Sequence, residues 1–345
     1  MKIHNIAVIG TGMISKSHFK AIRALPNARC AAVTDADESL ARAAAEQESC
    51  EWYPNAESLL EAQPEIDVCL ILTPTFTHAD IVELCAKYKK AVICEKPFEI
   101  SVENAKRILE AVEKSGITYM TAQVVRFWVG YTRIKQMLDD GEIGDVHMAY
   151  LSRKGRGGNP LERAVTHWMG DPQKGGGSTY DMMAHDTDFL QHMFGSASSV
   201  FSHAYAVQIG DRGEVYPSVF ASIEYKNGVK AVAEASAVMR GDYPFSMFIR
   251  LMGSKATVEF TYEAGANINE RDDSYILMRI FRDVQPVESY TPEDYDAYEK
   301  EIAYFLDCLD KGVKPSVATA ADGLEVVRVL AGVRESAAKK TKVFL

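Results

Sequence analysis

The chain is predicted to be an α/β protein of two domains. Residues 1–123 form a doubly wound parallel sheet, and residues 124–345 an α+β domain with a large, mostly antiparallel open sheet. Three observations predict this. Strand-like and helix-like segments alternate through the first third. A Gly10-Thr11-Gly12 turn joins the first strand to the first helix. Beyond residue 123 strands follow one another directly, some through tight turns such as Asn227-Gly228, a strong short-range hairpin signal.

The elements follow in order. His4 to Ile9 is an apolar strand that enters Gly10-Thr11-Gly12-Met13-Ile14-Ser15, and amphipathic spacing predicts a helix from about Met13 to Leu25. Gly10 permits the tight turn, and Gly12 lets the backbone approach a pyrophosphate on the helix N-terminus. Ser15 stands where a third glycine is usual and is small enough for close helix–strand packing. A second strand, Arg29 to Thr34, ends at Asp35, where a carboxylate can accept hydrogen bonds from an adenosine ribose. Ala36-Asp37 follows, with no Lys or Arg to hold a 2′-phosphate, so NAD is expected rather than NADP. Asp35 also opens a D-x-x-E pattern with Glu38 and is a candidate helix cap; one turn can serve both roles.

A short helix over 55–61 and a strand over 67–72 lead to the loop Thr73-Pro74-Thr75-Phe76-Thr77-His78, then a helix over 79–88. The loop's hydroxyls and amides suit a cofactor wall, and equally ordinary turn chemistry. Ala91 to Cys94 is a short buried strand closed by Glu95-Lys96-Pro97. Pro97 cannot join a sheet ladder and restricts Lys96 to extended geometry, so the strand stops there. Lys96 thus sits at the carboxyl end of a parallel strand, where ligands bind in such sheets. By itself the tripeptide would more often be a surface turn. A helix over 101–114 and a strand over 117–123 complete the half.

In the second part, Arg126-Phe127-Trp128 opens a helix that ends at Asp139-Asp140, and Val146 to Ser152 is an alternating strand. Strands over 219–226 and 229–239 flank Asn227-Gly228, strands over 247–252 and 256–262 flank Gly253-Ser254, and helices over 294–311 and 318–339 close the chain. The segment 178–193 is predicted helical, placing Asp181 and His185 on one face. A carboxylate one turn from an imidazole can hold the ring and tune its proton affinity. Alone, such a pair is more often a surface ion pair; the preceding Gly175-Gly176-Gly177, which would let a ligand come close, favours a site.

Composition narrows the function. The net charge of −10, without a basic cluster, argues against nucleic acid and anionic membranes. No uncharged apolar run is long enough for a membrane span, and the first residues lack a signal pattern. The six cysteines show no C-x-x-C spacing, and several lie inside apolar runs. A reduced, cytoplasmic protein is expected. No HExxH or clustered Cys/His spacing suggests a metal, and no GxSxG elbow suggests a serine hydrolase.

Taken together, the glycine turn through His18, the acid at Asp35, TPxxxH over 73–78, EKP over 95–97 and GGG…DxxxH over 175–185 resemble the glucose–fructose oxidoreductase/inositol dehydrogenase (Gfo/Idh/MocA) family over nearly the whole chain. Ser15 departs mildly from that pattern. The resemblance implies a Rossmann domain and an α/β second domain whose open sheet often mediates homodimers or homotetramers. It also implies NAD(P)-dependent oxidation or reduction of a sugar or cyclitol, with Lys96, Asp181 and His185 at the catalytic positions. The cofactor positions would be Gly10, Thr11, Gly12, Met13, Ile14, Asp35, Thr73, Pro74, Thr75, His78, Glu95, Lys96 and Gln123. Candidates for gripping the substrate, besides the catalytic three, are Arg126, Arg153, Arg156, Asn159, His167, Trp168 and Asp171. The catalytic groups come from both domains, so catalysis is expected to require both. An NAD-assisted glycosidase or lyase and a non-catalytic NAD-sensing protein remain alternatives. The latter would have little need of all three catalytic residues, and net NADH production with a free polyol would discriminate against the former.

Overall fold

The computed structural model describes residues 2–265 and 274–345. They cluster into two units, residues 1–127 with 296–324, and 128–295 with 325–345.

The first unit begins with strand β1 (His4–Ile9), helix α1 (Ser15–Ala24), β2 (Ala28–Thr34), α2 (Glu38–Glu48), β3 (Glu51–Tyr53) and α3 (Ala56–Ala62). It continues through β4 (Val68–Ile71), α4 (His78–Lys87), β5 (Ala91–Glu95), α5 (Val102–Ser115) and β6 (Tyr119–Ala122). The six strands are parallel, in the order β3-β2-β1-β4-β5-β6. This is the doubly wound topology in which strand order reverses between β1 and β4, opening a crevice at the carboxyl ends. Strands such as Val68–Ile71 are buried at every position, as a sheet covered on both faces demands.

A single cut at 123 proves too simple. Helix α10 (Ala297–Lys311) lies far along the sequence but packs in the first unit. Ile302, Phe305 and Leu306 on one of its faces share a core with Ile6, Val8, Phe19 and Ile22. It starts at Ala297 rather than 294 because the Asp296 carboxylate accepts from the Tyr298 and Glu299 backbone amides and caps it there.

The second unit contains α6 (Val129–Asp139), β7 (Val146–Lys154), α7 (Pro160–Thr166), α8 (Ser178–Asp181), α9 (Met183–Phe194), β8 (Ala197–Gln208), β9 (Glu214–Tyr225) and β10 (Lys230–Ser236). Then come β11 (Phe245–Gly253), β12 (Thr257–Ala264), β13 (Tyr275–Phe281), β14 (Glu288–Tyr290), much of α11 (Ala320–Lys339) and β15 (Val343–Phe344). Nine strands run in the order β14-β13-β12-β11-β7-β10-β9-β8-β15. Among the described pairs only β7 with β10 is parallel. Both expected hairpins form: β9 and β10 turn at Asn227-Gly228, and β11 pairs antiparallel with β12.

Alternation leaves this sheet with two unlike faces. Val219, Ala221, Ile223 and Tyr225 are buried, and Ala231, Ala233 and Ala235 of β10 lie on the same buried face, opposite Ile223, Ala221 and Val219. Those alanines therefore add nothing to the other side. The open face instead carries Phe220, 50% exposed, with Tyr205, Met148 and Tyr275, beside the ion pairs of Arg250 and Arg279 with Glu259.

Candidate active site

In the first unit the candidate residues gather at the carboxyl ends of the strands. Gly10, at the end of β1, adopts φ +98°, and a Cβ there would lie 2.8 Å from the Leu72 carbonyl carbon and the Thr73 nitrogen. Glycine is required because the turn runs against the end of β4. A Cβ on Gly12 would meet nothing within 4 Å, so its backbone faces open space. Ser15 replaces the third glycine without loss: its hydroxyl donates to the Gly12 carbonyl at 2.7 Å. No side chain caps α1 and its first turn holds no acid, so the positive end of its dipole is left unopposed for an anion. Met13 is exposed and Ile14 half-buried beside this terminus.

Asp35 belongs to the same turn. Its Oδ2 accepts from the Thr11 backbone amide at 2.7 Å and lies 3.2 Å from the Thr11 hydroxyl; its Oδ1 accepts from the Asp37 amide at 2.9 Å. A carboxylate has about four acceptor positions, so capacity remains for a ribose hydroxyl. The helix cap is Asp37, not Asp35: the Asp37 carboxylate accepts from the Ser39 amide.

The loop after β4 divides into lining and support. Thr73 and Pro74 are half-buried, whereas Thr75 and His78 are buried. The His78 ring bridges two loops, with Nε2 3.0 Å from the Thr73 carbonyl and Nδ1 3.3 Å from that of Phe98. Burial lowers its pKa, against the pull of the two carbonyl acceptors, which favour a protonated ring. Thr77 secures the turn, its hydroxyl 2.8 Å from the Thr73 hydroxyl and the Pro74 carbonyl.

Lys96 stands half-buried just past β5, and the Lys96–Pro97 peptide is cis. The Glu95 side chain turns inward: Oε1 lies 2.9 Å from His18 Nε2, and Oε2 accepts from the Lys96 backbone amide at 2.9 Å. Glu95 therefore supports Lys96 from within. His18 stands in the recognised motif, yet its sequence position gave no sign of this partner. Gln123, at the end of β6, is buried, and its side-chain carbonyl has no hydrogen-bond partner among the described residues. An unsatisfied buried acceptor at a strand end calls for a donor from a bound molecule. With the open space over Gly12 and the uncapped α1, it fits a dinucleotide. Arg126 is buried, 3.5 Å from Asp322.

In the second unit the segment 178–194 is helical except at Met182, whose φ −91°, ψ −45° keeps the path close to helical. Asp181 is half-buried and His185 buried, one helical turn apart. Asp181 also lines a cavity of about 190 Å³ with Arg156, Met169, Ser178, Pro217 and Phe245 among its walls. Two of the three glycines upstream have structural reasons rather than a ligand: a Cβ at Gly175 would meet the Met169 backbone at 2.3 Å, and one at Gly176 the Tyr180 ring at 2.3 Å. Gly177 lines the cavity.

Arg153 is a correction. Its side chain is 2% exposed and pairs at 3.0 Å with Asp186, 1% exposed, while also donating to the Tyr131 hydroxyl at 2.9 Å. Inward alternation on β7 carries it into the core, where it anchors the helix that bears His185. Asp171 is likewise engaged by protein groups, accepting from Arg212 of the β8–β9 connection at 2.6 Å and from the Gln173 amide of its own loop at 2.9 Å. Asn159 accepts from the Leu161 amide. Arg156 is exposed and faces the cavity; His167 is exposed and stacks on half-buried Trp168, ring centroids 5.8 Å apart.

The glycine turn, the acid after β2 and the furnished strand ends define an NAD-binding Rossmann oxidoreductase with a sheet-based second unit. The comparisons agree. The family model described as oxidoreductase family, NAD-binding Rossmann fold, matches residues 4–123, and that of the GFO/IDH/MocA C-terminal domain matches 131–259. The chain belongs to the GFO/IDH/MocA family of oxidoreductases. It is 28% identical over 342 residues to inositol 2-dehydrogenase of Rhizobium meliloti, covering 97% of each chain. It is 27% identical to myo-inositol 2-dehydrogenase of Thermotoga maritima, covering 91% of this chain and 90% of that one. Levoglucosan dehydrogenase in complex with NADH superposes with a TM-score of 0.86 over 99% of both chains at 22% identity, a likeness of fold. No described helix is long and apolar enough to cross a membrane.

Proposed function

We propose that the protein oxidises a secondary alcohol of a sugar or cyclitol, with Lys96, Asp181 and His185 as its catalytic groups. The observation that carries this reading is the presence of Asp181 and His185 one turn apart on a helix whose first turn lines a cavity. Near-full-length similarity to inositol dehydrogenases supports the substrate class. When bound, the nicotinamide supplies hydride acceptance. Gly10 to Ile14, Asp35, Thr73, Pro74 and Gln123 would hold the dinucleotide. His185 takes the hydroxyl proton, so that no alkoxide is stranded as the carbonyl forms. Asp181 orients the imidazole and stabilises its protonated form. Lys96 donates to the reacting oxygen and offsets its developing negative charge. In the reverse direction the same groups return the proton. A screen of sugars and cyclitols followed by NADH absorbance tests the reading, and no NADH from any of them would count against it.

NAD is the expected cofactor over NADP. Asp35 would repel a 2′-phosphate and leave its own hydrogen bond unmade. Titration with each nucleotide should show NAD binding more tightly, and equal or tighter NADP binding would sink the assignment. The open face of the second sheet, with Phe220, Tyr205 and Met148 exposed, supports a homodimer or homotetramer. Sedimentation at micromolar concentration should show the oligomer, and Phe220→Glu should shift it towards monomer; a wild-type monomer alone would rule it out.

A further inference from the structure

Behind Lys96 lies a cluster of ionisable groups that the reaction does not use. Glu301, on α10, is 0% exposed, and neither of its carboxyl oxygens has a hydrogen-bond partner among the described residues. One turn earlier, Tyr298 packs edge-on against His18, ring centroids 5.0 Å apart. His18 reaches Glu95 through Nε2, and its Nδ1 is buried without a hydrogen-bond partner among the described residues. Glu95 in turn accepts from the Lys96 amide. An ionised carboxylate stripped of water and of every donor is among the costliest groups a core can hold, and such a group takes up a proton instead.

We propose that Glu301 is a positioning residue held as a neutral carboxylic acid near Glu95, so that Glu95 alone carries the negative charge tying His18 to the Lys96 peptide. This rests on the reading of Lys96 as a catalytic amine. Burial, and then the Glu95 charge, raise the Glu301 pKa well above its ordinary value of 4.5. The elements packed against α10 offer little relief. From α1 come His18 and Lys20, the latter paired with Asp296 at the surface; from the 3-10 turn 124–127 comes Arg126, within ion-pair distance of Asp322. A second negative charge here would repel Glu95 and loosen its hold on His18 and on the Lys96 amide.

The folded chain keeps this proton where the unfolded chain has released it. Its stabilising contribution is therefore complete below about pH 4.5 and declines as pH rises towards the higher folded value. Three measurements on the full chain test the proposal. In the infrared at about pH 8, wild type should show a protonated-carboxyl C=O band that Glu301→Gln lacks. The melting temperature of Glu301→Gln relative to wild type should rise by several degrees between about pH 5 and about pH 9. NADH affinity, titrated directly, should fall several-fold at the alkaline end in wild type and less in Glu301→Gln, with the two alike near neutrality. Glu301→Met serves as a second neutral replacement. No carboxyl band lost on substitution, or parallel melting curves, overturns the neutral acid; a lost band with superimposed NADH profiles overturns the positioning role. Failure of both neutral replacements to fold also overturns it. If Lys96→Ala left turnover intact, the catalytic reading would fall while the infrared and thermal outcomes stood.

Discussion

Lys96→Ala and His185→Ala should each lower turnover by roughly 10²-fold or more, the usual scale for acid–base and electrostatic groups. Asp181→Asn should cost as much as His185→Ala or less, because it acts through the imidazole. NAD affinity should barely change in the His185 variant, since that group serves the substrate. Steady-state kinetics on an active substrate, with nucleotide binding as the folding control, make the comparison. Near-wild-type turnover in both Lys96→Ala and His185→Ala would move the chemistry elsewhere.

Asp186→Ala should destabilise the protein by about 3–5 kcal/mol, because it strands the Arg153 guanidinium in the core without its counter-charge. A melting temperature lower by on the order of 10 °C is expected for a chain of this size. The double change Arg153→Met, Asp186→Leu removes both charges and fills similar volume, so it should recover most of that loss. A double variant as unstable as the single one would show that packing, not the unpaired charge, sets the cost. Burial raises the Asp186 pKa against the pull of Arg153, in keeping with a pair whose desolvation is barely offset.

Much of the fold was legible because it rests on local chemistry. Gly10 and the strands around it announce a turn that only glycine can make, and Asn227-Gly228 announces its hairpin. What escaped was decided by partners distant in sequence. A basic residue just ahead of the glycines at 155, 157 and 158 looks like a ligand grip, yet Arg153 is drawn inward by Asp186, 33 residues later. His78 acts as a loop tie because the Phe98 carbonyl arrives from the next strand end. Glu301 carried a faint local signal. The spacing Ala297, Glu301, Phe305 places it on the apolar stripe of α10, where a carboxylate is out of place.

The membership of α10 in the first unit bears on how the chain is made. As synthesis proceeds, residues 1–127 emerge first, but the helix that supplies Ile302, Phe305 and Leu306 to their core follows only after some 170 more residues. At ordinary elongation rates that interval is roughly 10–30 s. During it the nascent sheet has an apolar flank waiting for its cover, a natural landing place for a chaperone. A fragment ending at 127 would carry the same exposed flank permanently.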